Sequence, residues 1–163
     1  MMPEPRSFDA YLPAPFGGLG IGIEGDRVAR ISFLSTAPPS GSISHPLLDQ
    51  VRDQLRRYME DPHARLQLPL HWQGTPFQQR VWQELRRIPV GSTRTYGEIA
   101  KRPNSSARAV GGACRTNHLV LIVPCHRVVA AGGLGGFSGE TEGVMPNIKR
   151  WLLNHEGALN GEW

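Results

Sequence analysis

The chain has 163 residues, 39% of them hydrophobic and 20% charged, which suits one globular domain or two small ones and excludes an intrinsically disordered chain. Its longest unbroken apolar run, Leu119 to Val123, is far short of the roughly 20 residues of a membrane helix, and the polar Met1–Ser7 does not read as a signal peptide. The net charge of +4 is unevenly divided: residues 1–71 sum to −1 and residues 72–163 to +5, with eight bases and only one acid, Glu98, between Arg86 and Arg127. Such a basic half reads either as a surface for a polyanion or as an ordinary solvated face.

The front third has β character. Leu19 to Glu24 and the alternating Arg27 to Leu34 flank the turn signal Glu24-Gly25-Asp26, which predicts an antiparallel hairpin. Thr36 to Ser44 reads as a loop. Pro46 to Glu60 is predicted as a helix, with Leu47, Leu48, Val51, Leu55, Tyr58 and Met59 on its apolar stripe. Leu66 to Trp72 forms a linker, giving two domains, 1–71 and 72–163.

The back half opens with Thr75-Pro76-Phe77-Gln78, a capping box with proline in the first turn. Phe77, Val81, Trp82, Leu85 and Ile88 form that helix's buried stripe, and Pro89 and Gly91 end it. Thr95 to Lys101 is a short capped helix, Pro103-Asn104-Ser105 a turn, and Ser106 to Asn117 a helix again, which is the helix-turn-helix order. In the last helix Ala107, Val110, Gly111 and Cys114 are predicted to face the core, with Ser105, Arg108, Gly112 and Arg115 opposite. The adjacent Gly111 and Gly112 predict close approach on both sides, or else simple tight packing. Leu119 to Val123 reads as a buried extended segment, Gly132 to Gly136 as a turn, and Asn147 to Glu156 as a terminal helix with Ile148, Trp151, Leu152 and His155 on one face.

Only two cysteines occur, too few for a disulfide framework or a four-cysteine zinc site, and consistent with a reducing cytoplasm. The histidines show no tight metal-ligand spacing, so no metal is expected. Cys114, on the predicted apolar face, reads as packing. Cys125 is different because it stands directly before His126 and Arg127. A thiol reacts as thiolate, and a neighbouring base or cation favours that form. In an extended chain adjacent side chains point apart, so His126 needs a bridging water or a local bend to serve Cys125. A Cys-His pair alone is equally read as a buried cysteine closing a strand.

The surrounding residues add a resemblance. Ile122-Val123-Pro124-Cys125-His126-Arg127-Val128-Val129 resembles the active-site motif of the O6-alkylguanine-DNA alkyltransferases, or methylated-DNA–protein-cysteine S-methyltransferases. Gly74 to Gln78 with Val81-Trp82, Tyr96 to Ala100, Arg108 to Ala113 with Asn117, and Trp151 to Gly157 resemble further motifs of that family in the same order. The match runs from about Gly74 to Leu159 and more weakly into the front half.

The resemblance implies an α/β fold: a small ribonuclease-H-like N-terminal α/β domain and a mostly helical winged helix-turn-helix C-terminal domain. It implies irreversible, single-use transfer of an alkyl group from O6-alkylguanine in double-stranded DNA to Cys125, after the base is flipped from the stack. His126 acts as a water-mediated base, Glu156 orients it, Asn117 braces the turn, and Tyr96 donates to the departing guanine. Arg108 fills the gap left by the flipped nucleotide, and Thr95, Ala109, Gly112 and Arg115 join it at the DNA. Val128 and Ser138 read the guanine, with Phe137 and Lys149 lining the pocket. No cofactor, metal or membrane is implied, and the protein is expected as a cytoplasmic monomer that could bind DNA cooperatively.

Four departures stand out: Phe137 replaces the family's usual tyrosine, the 140–147 segment is longer than usual, the stretch from Cys125 to Phe137 is one residue shorter than usual, and Val120 replaces a proline of some relatives. Two other functions compete. A lesion-binding sensor of the same fold would lack the cysteine. A cysteine hydrolase would need a distant histidine and an oxyanion site.

Overall fold

The computed structural model describes residues 8–36, 43–135 and 143–159. They form a mixed α/β protein that divides into two compact units, residues 1–73 with 118–120 and residues 74–117 with 121–163. The predicted loop at 37–42, Gly136, Phe137, Ser138, and Glu140 and Glu142 of the longer segment lie outside the described residues.

The first unit is built on an antiparallel sheet of β1 (Ala10–Ala14), β2 (Gly17–Glu24) and β3 (Arg27–Leu34), in that order. The predicted hairpin is β2–β3. Gly25 takes a left-handed φ of 59° in its two-residue turn, where a side chain is disfavoured. The register places Leu19 opposite Phe33 and Ile21 opposite Ile31, with a bulge at Gly22/Ile23. All four of those side chains are buried. Strand β1 has no counterpart in the sequence reading, because Pro13 suppresses a strand prediction. Pro13 is tolerated because β1 is an edge strand.

Helix α1 spans Pro46–Glu60, with the predicted bounds. His45 caps it, its Nδ1 accepting from the Leu47 backbone N–H at 3.0 Å. Leu48, Val51 and Leu55 are fully buried, and each such side chain contributes roughly 1.5–3 kcal/mol to the core. Two later segments cover the outer edge of β3. Val28 exchanges backbone hydrogen bonds with Pro69 and His71, and Ile31 with His118 and Val120.

The second unit contains α2 (Pro76–Leu85), α3 (Tyr96–Ala100), α4 (Ala107–Arg115) and α5 (Val144–His155), with a two-stranded parallel pair of β4 (Arg94–Thr95) and β5 (Val128–Val129). The α2 capping box forms as the sequence predicts, with Thr75 accepting from the Gln78 N–H and Gln78 accepting from the Thr75 N–H. Helices α2, α3 and α4 pack on one another. Trp82 is buried and its indole Nε1 donates to the Ala113 carbonyl at 2.9 Å, tying α4 to α2.

Four expectations need correction. The packed face of α4 is Val110 with Ala113, while Ala107 is exposed and Cys114 only half-buried. A Cβ added at Gly111 or Gly112 would meet nothing within 4 Å outside its own helix among the described residues, so the expected close approach is not made by them. Leu119–Val123 is buried but not uniformly extended. Leu121 takes a φ of 72° and the chain turns there, since one end of the segment joins β3 and the other enters the second unit. The buried face of α5 is Met145, Ile148, Lys149, Leu152 and Leu153; Trp151 and His155 stack on each other at its flank with ring centroids 4.8 Å apart.

Candidate active site

The site is assembled from four chain segments of the second unit. β4 brings in the first. Arg94 pairs with Val128 and Thr95 with Val129, which sets the start of α3 beside the strand that follows Cys125. Thr95 caps α3, accepting from the Glu98 N–H at 3.1 Å while Glu98 accepts from the Thr95 N–H at 3.0 Å. Tyr96 follows at once and is held half-buried. Burial, with the nearby thiols adding, pushes its phenol up to about 12.

Helix α4 carries the second segment. Ser106 caps it by accepting from the Ala109 N–H. Arg108, Gly112 and Arg115 recur at i, i+4 and i+7 and therefore share one face. Both arginines are exposed, and Ala109 and Gly112 are half-exposed. Just past the helix, the Asn117 side-chain amide donates to the Val123 carbonyl at 2.8 Å and to Cys125 Sγ at 3.2 Å. One residue thus closes the 117–125 loop and touches the sulfur.

Cys125 opens a 3-10 turn, Cys125–Arg127, which supplies the local bend the sequence reading required. The thiol is buried, with 4% of the residue exposed. Burial pushes it up to about 11, opposed by the Asn117 hydrogen bond and the charge of Lys149. The expectation that the Arg127 charge favours the thiolate is corrected: Arg127 is bound to Glu156, and the groups that favour the thiolate are Asn117 and Lys149. Lys149 has no solvent exposure. Burial brings it down to about 8, and its ammonium lies 5.8 Å from the centroid of the Tyr96 ring.

The last segment is the C-cap of α5, where Glu156 is buried between two partners. Arg127 grips it with two bonds, Nε to Oε1 at 2.8 Å and Nη2 to Oε2 at 2.9 Å, while its Nη1 donates to the Ile88 carbonyl at 2.7 Å. His126 Nε2 meets Oε2 at 2.9 Å. Burial opposes ionisation of Glu156, but the hydrogen bonds from His126 and Arg127 hold its carboxyl well below the usual carboxylate range. An ionised carboxylate can only accept, so Nε2 carries the proton and donates. Nδ1 is left as the basic nitrogen. It is buried and has no hydrogen-bond partner among the described residues. Burial also lowers the pKa of His126, so the ring is neutral.

The structure therefore gathers Cys125, His126, Glu156, Asn117, Tyr96, Lys149 and Val128 in one unit and places Arg108 and Arg115 on an exposed face of it. Arg127 was not among the expected site residues. Its only sequence signal was adjacency to His126. The burial of Lys149 was equally hidden, although Met145, Lys149 and Leu152 recur at helical spacing. Burial raises the pKa of Cys114 and the charge of Cys125 raises it further, which keeps it a thiol and agrees with its reading as packing. Among the described residues no three His, Cys, Asp or Glu side chains come together as a metal-ligand group, and no helix is long and apolar enough to cross a membrane.

A buried thiol touched by an amide donor, followed in the chain by a neutral imidazole and set in a unit of packed short helices, defines a protein built around one cysteine. Residues 76–158 match the DNA-binding domain of 6-O-methylguanine DNA methyltransferase. The constitutive methylated-DNA–protein-cysteine methyltransferase of Bacillus subtilis is 41% identical over 154 residues, covering 87% of this chain and 90% of that protein. A crystal structure of Mycobacterium tuberculosis OGT in complex with DNA superposes with a TM-score of 0.74 at 35% identity, over 91% of each chain. An O6-methylguanine DNA methyltransferase from Methanococcus jannaschii gives a TM-score of 0.65 at 28% identity, over 94% of this chain and 96% of the other. The chain belongs to the methylated-DNA–protein-cysteine methyltransferase family.

Proposed function

We propose that this chain repairs alkylated DNA by direct reversal, moving the alkyl group of O6-alkylguanine, chiefly O6-methylguanine, from duplex DNA to Cys125. The observation that carries the reading is the Asn117–Cys125 contact at 3.2 Å beside a neutral His126 whose Nε2 is engaged by Glu156. The thiol proton passes through one water to His126 Nδ1. The thiolate sulfur attacks the alkyl carbon, a C–S bond forms, and the C–O6 bond breaks. Tyr96 supplies a proton to the guanine so that it leaves as a neutral base, and the proton taken up by His126 makes good the loss. The resulting thioether has no hydrolytic route back, so each molecule acts once.

In this reading residues 1–71 are a ribonuclease-H-like scaffold and residues 72–163 a winged helix-turn-helix that binds DNA and accepts the alkyl group. Arg108 fills the gap of the flipped nucleotide, and Thr95, Ala109, Gly112 and Arg115 face the DNA with it. The open space over Gly111 and Gly112 supports close approach by a partner rather than by the chain itself. Val128 and Lys149 line the guanine pocket together with Phe137 and Ser138. The protein works as a cytoplasmic monomer without cofactor.

The test is to incubate the protein with duplex DNA carrying O6-methylguanine and to weigh the intact protein and its tryptic peptides. One added methyl group on the Cys125 peptide, with no turnover, is the expected result. Methylation on the Cys114 peptide would reassign the nucleophile. An unmodified protein that still retards the DNA in a gel would make it a lesion sensor. Arg108→Ala is expected to slow repair of duplex DNA by roughly tenfold or more, because a few kcal/mol of unstacking goes uncompensated. Its reaction with a free O6-alkylated guanine base is expected to be unchanged. Equal rates on duplex DNA would remove Arg108 from that role.

A further inference from the structure

We propose that the groove between α2 and α3 is a second DNA-backbone site, separate from the α4 face; the proposal rests on the reading of this chain as a DNA-binding protein. Two adjoining cavities form the groove. The larger, about 330 Å³, has Ile88 and Ile99 among its lining and is rimmed by Arg87, Arg94, Lys101 and Arg102. The smaller, about 250 Å³, shares Arg102 and Glu84 with it and adds Arg80. No residue of α4 lines either cavity.

The charges of the groove are unbalanced in a specific way. Five bases face two acids, Glu84 and Glu98. Both acids are already committed: Glu84 pairs with Arg87 and Arg102, each at 3.4 Å, and Glu98 closes the α3 capping box with Thr95. Arg80, Arg94 and Lys101 are exposed and form no ion pair among the described residues. The groove therefore presents three exposed cations outside any ion pair among the described residues, over an apolar base.

Cations drawn from both walls of the groove suit a polyanion better than a single anion. Arg80 lies on α2 and Arg87 just past its end, while Arg94 precedes α3 and Lys101 and Arg102 follow it. A DNA strand carries a phosphate about every 3.4 Å of axis, so one strand offers several phosphates to these cations. The apolar base suits deoxyribose faces between them. The proposed lesion contacts on α4, Arg108 and Arg115, are not needed for this contact. The groove would add affinity without sequence or damage preference.

The test uses the full-length protein and the double variant Arg80→Gln/Lys101→Gln, whose side chains are exposed and carry no internal ion pair. Affinity for an undamaged DNA duplex is measured across a salt series. Each lost phosphate contact lowers the slope of log K against log salt by about 0.9, so the slope is expected to shrink by about 2. Transfer from a free O6-alkylated guanine base, without DNA, is expected to be unchanged. The charge-keeping variant Arg80→Lys/Lys101→Arg is expected to restore the slope. An unchanged slope in the Gln variant overturns the groove, as does a slope lost on single-stranded RNA but kept on duplex DNA. A wild-type protein that binds duplex with the expected slope yet transfers nothing would overturn the repair reading and leave the groove standing.

Discussion

Arg127→Met is expected to destabilise the protein by about 3–5 kcal/mol, the range for removing one partner of a buried ion pair. The loss is large because Glu156 keeps its place between two groups and would then retain only one. The guanidinium supplies both bonds at 2.8 and 2.9 Å that keep the carboxyl ionised without solvent. A pH dependence should weaken with it. In the wild type, burial lowers the pKa of His126, so the folded state resists protonation and stability falls as pH drops below the ordinary imidazole value. The Arg127 charge is a smaller cause of the same lowering, so the variant's His126 should be less depressed and its stability should fall less steeply with acid. Urea midpoints from pH 5 to 8 would read the smaller slope. Glu156→Gln should cost a similar amount by stranding Arg127, and the double variant Arg127→Met/Glu156→Gln should cost less than the sum. Strict additivity would show that the pair is not coupled.

Much of the fold was legible because local rules agree with the packing. Helix α1 matches its predicted bounds, since an unbroken apolar stripe, a proline at its start and Asp61-Pro62 beyond its end all point the same way. The capping box at Thr75 was read from four residues and forms with both hydrogen bonds, and the cap read at Thr95 proves to be a second such box. What failed was whatever depends on distant partners. β1 contains a proline and exists because β2 pairs with it. Leu121 turns because its two flanks belong to different units. The α4 face was misassigned by one helical step, because a helix of small residues has too little contrast to orient from sequence alone.

The site was legible in part for a similar reason. Cys125, His126, Asn117 and Glu156 are chemically conspicuous, and the structure puts them in contact or one partner apart. The electrostatics were not legible. Adjacency in sequence suggested that the Arg127 charge favours the thiolate, whereas Arg127 is bound to Glu156 and the cation that favours the thiolate is Lys149. Lysine is ordinarily a surface residue, so nothing in Asn147-Ile148-Lys149-Arg150 marks Lys149 as buried and its neighbour Arg150 as exposed.

That buried lysine leads to the second large effect. Lys149→Met is expected to make the protein slower and more stable at once. At pH 7.5 the ammonium is the cation that favours the Cys125 thiolate. Removing a nearby opposite charge raises a thiol's pKa by about one to three, so the thiolate fraction and the transfer rate should fall at least about tenfold. Stability moves the other way. The folded Lys149 titrates at about 8 against an ordinary 10.5, so the folded state holds an unfavourable charge at neutral pH. At about 1.4 kcal/mol per pH unit that penalty is at most about 3.5 kcal/mol, and methionine removes it while filling nearly the same volume. The sign follows from proton counting. Between 8 and 10.5 the unfolded wild type binds more protons, so its stability rises with pH, and the variant lacks this rise. The thiol works in the opposite sense, since Cys125 titrates at about 11 when folded and 9 when unfolded, so above 9 it lowers the stability of both proteins. Thermal midpoints at pH 7 and 9, with single-turnover rates at pH 7.5, would test both halves. A variant that is slower but no more stable would mean that Lys149 is held by favourable contacts outweighing its desolvation. A variant that is more stable but equally fast would mean that the thiolate draws its stabilisation from Asn117 alone.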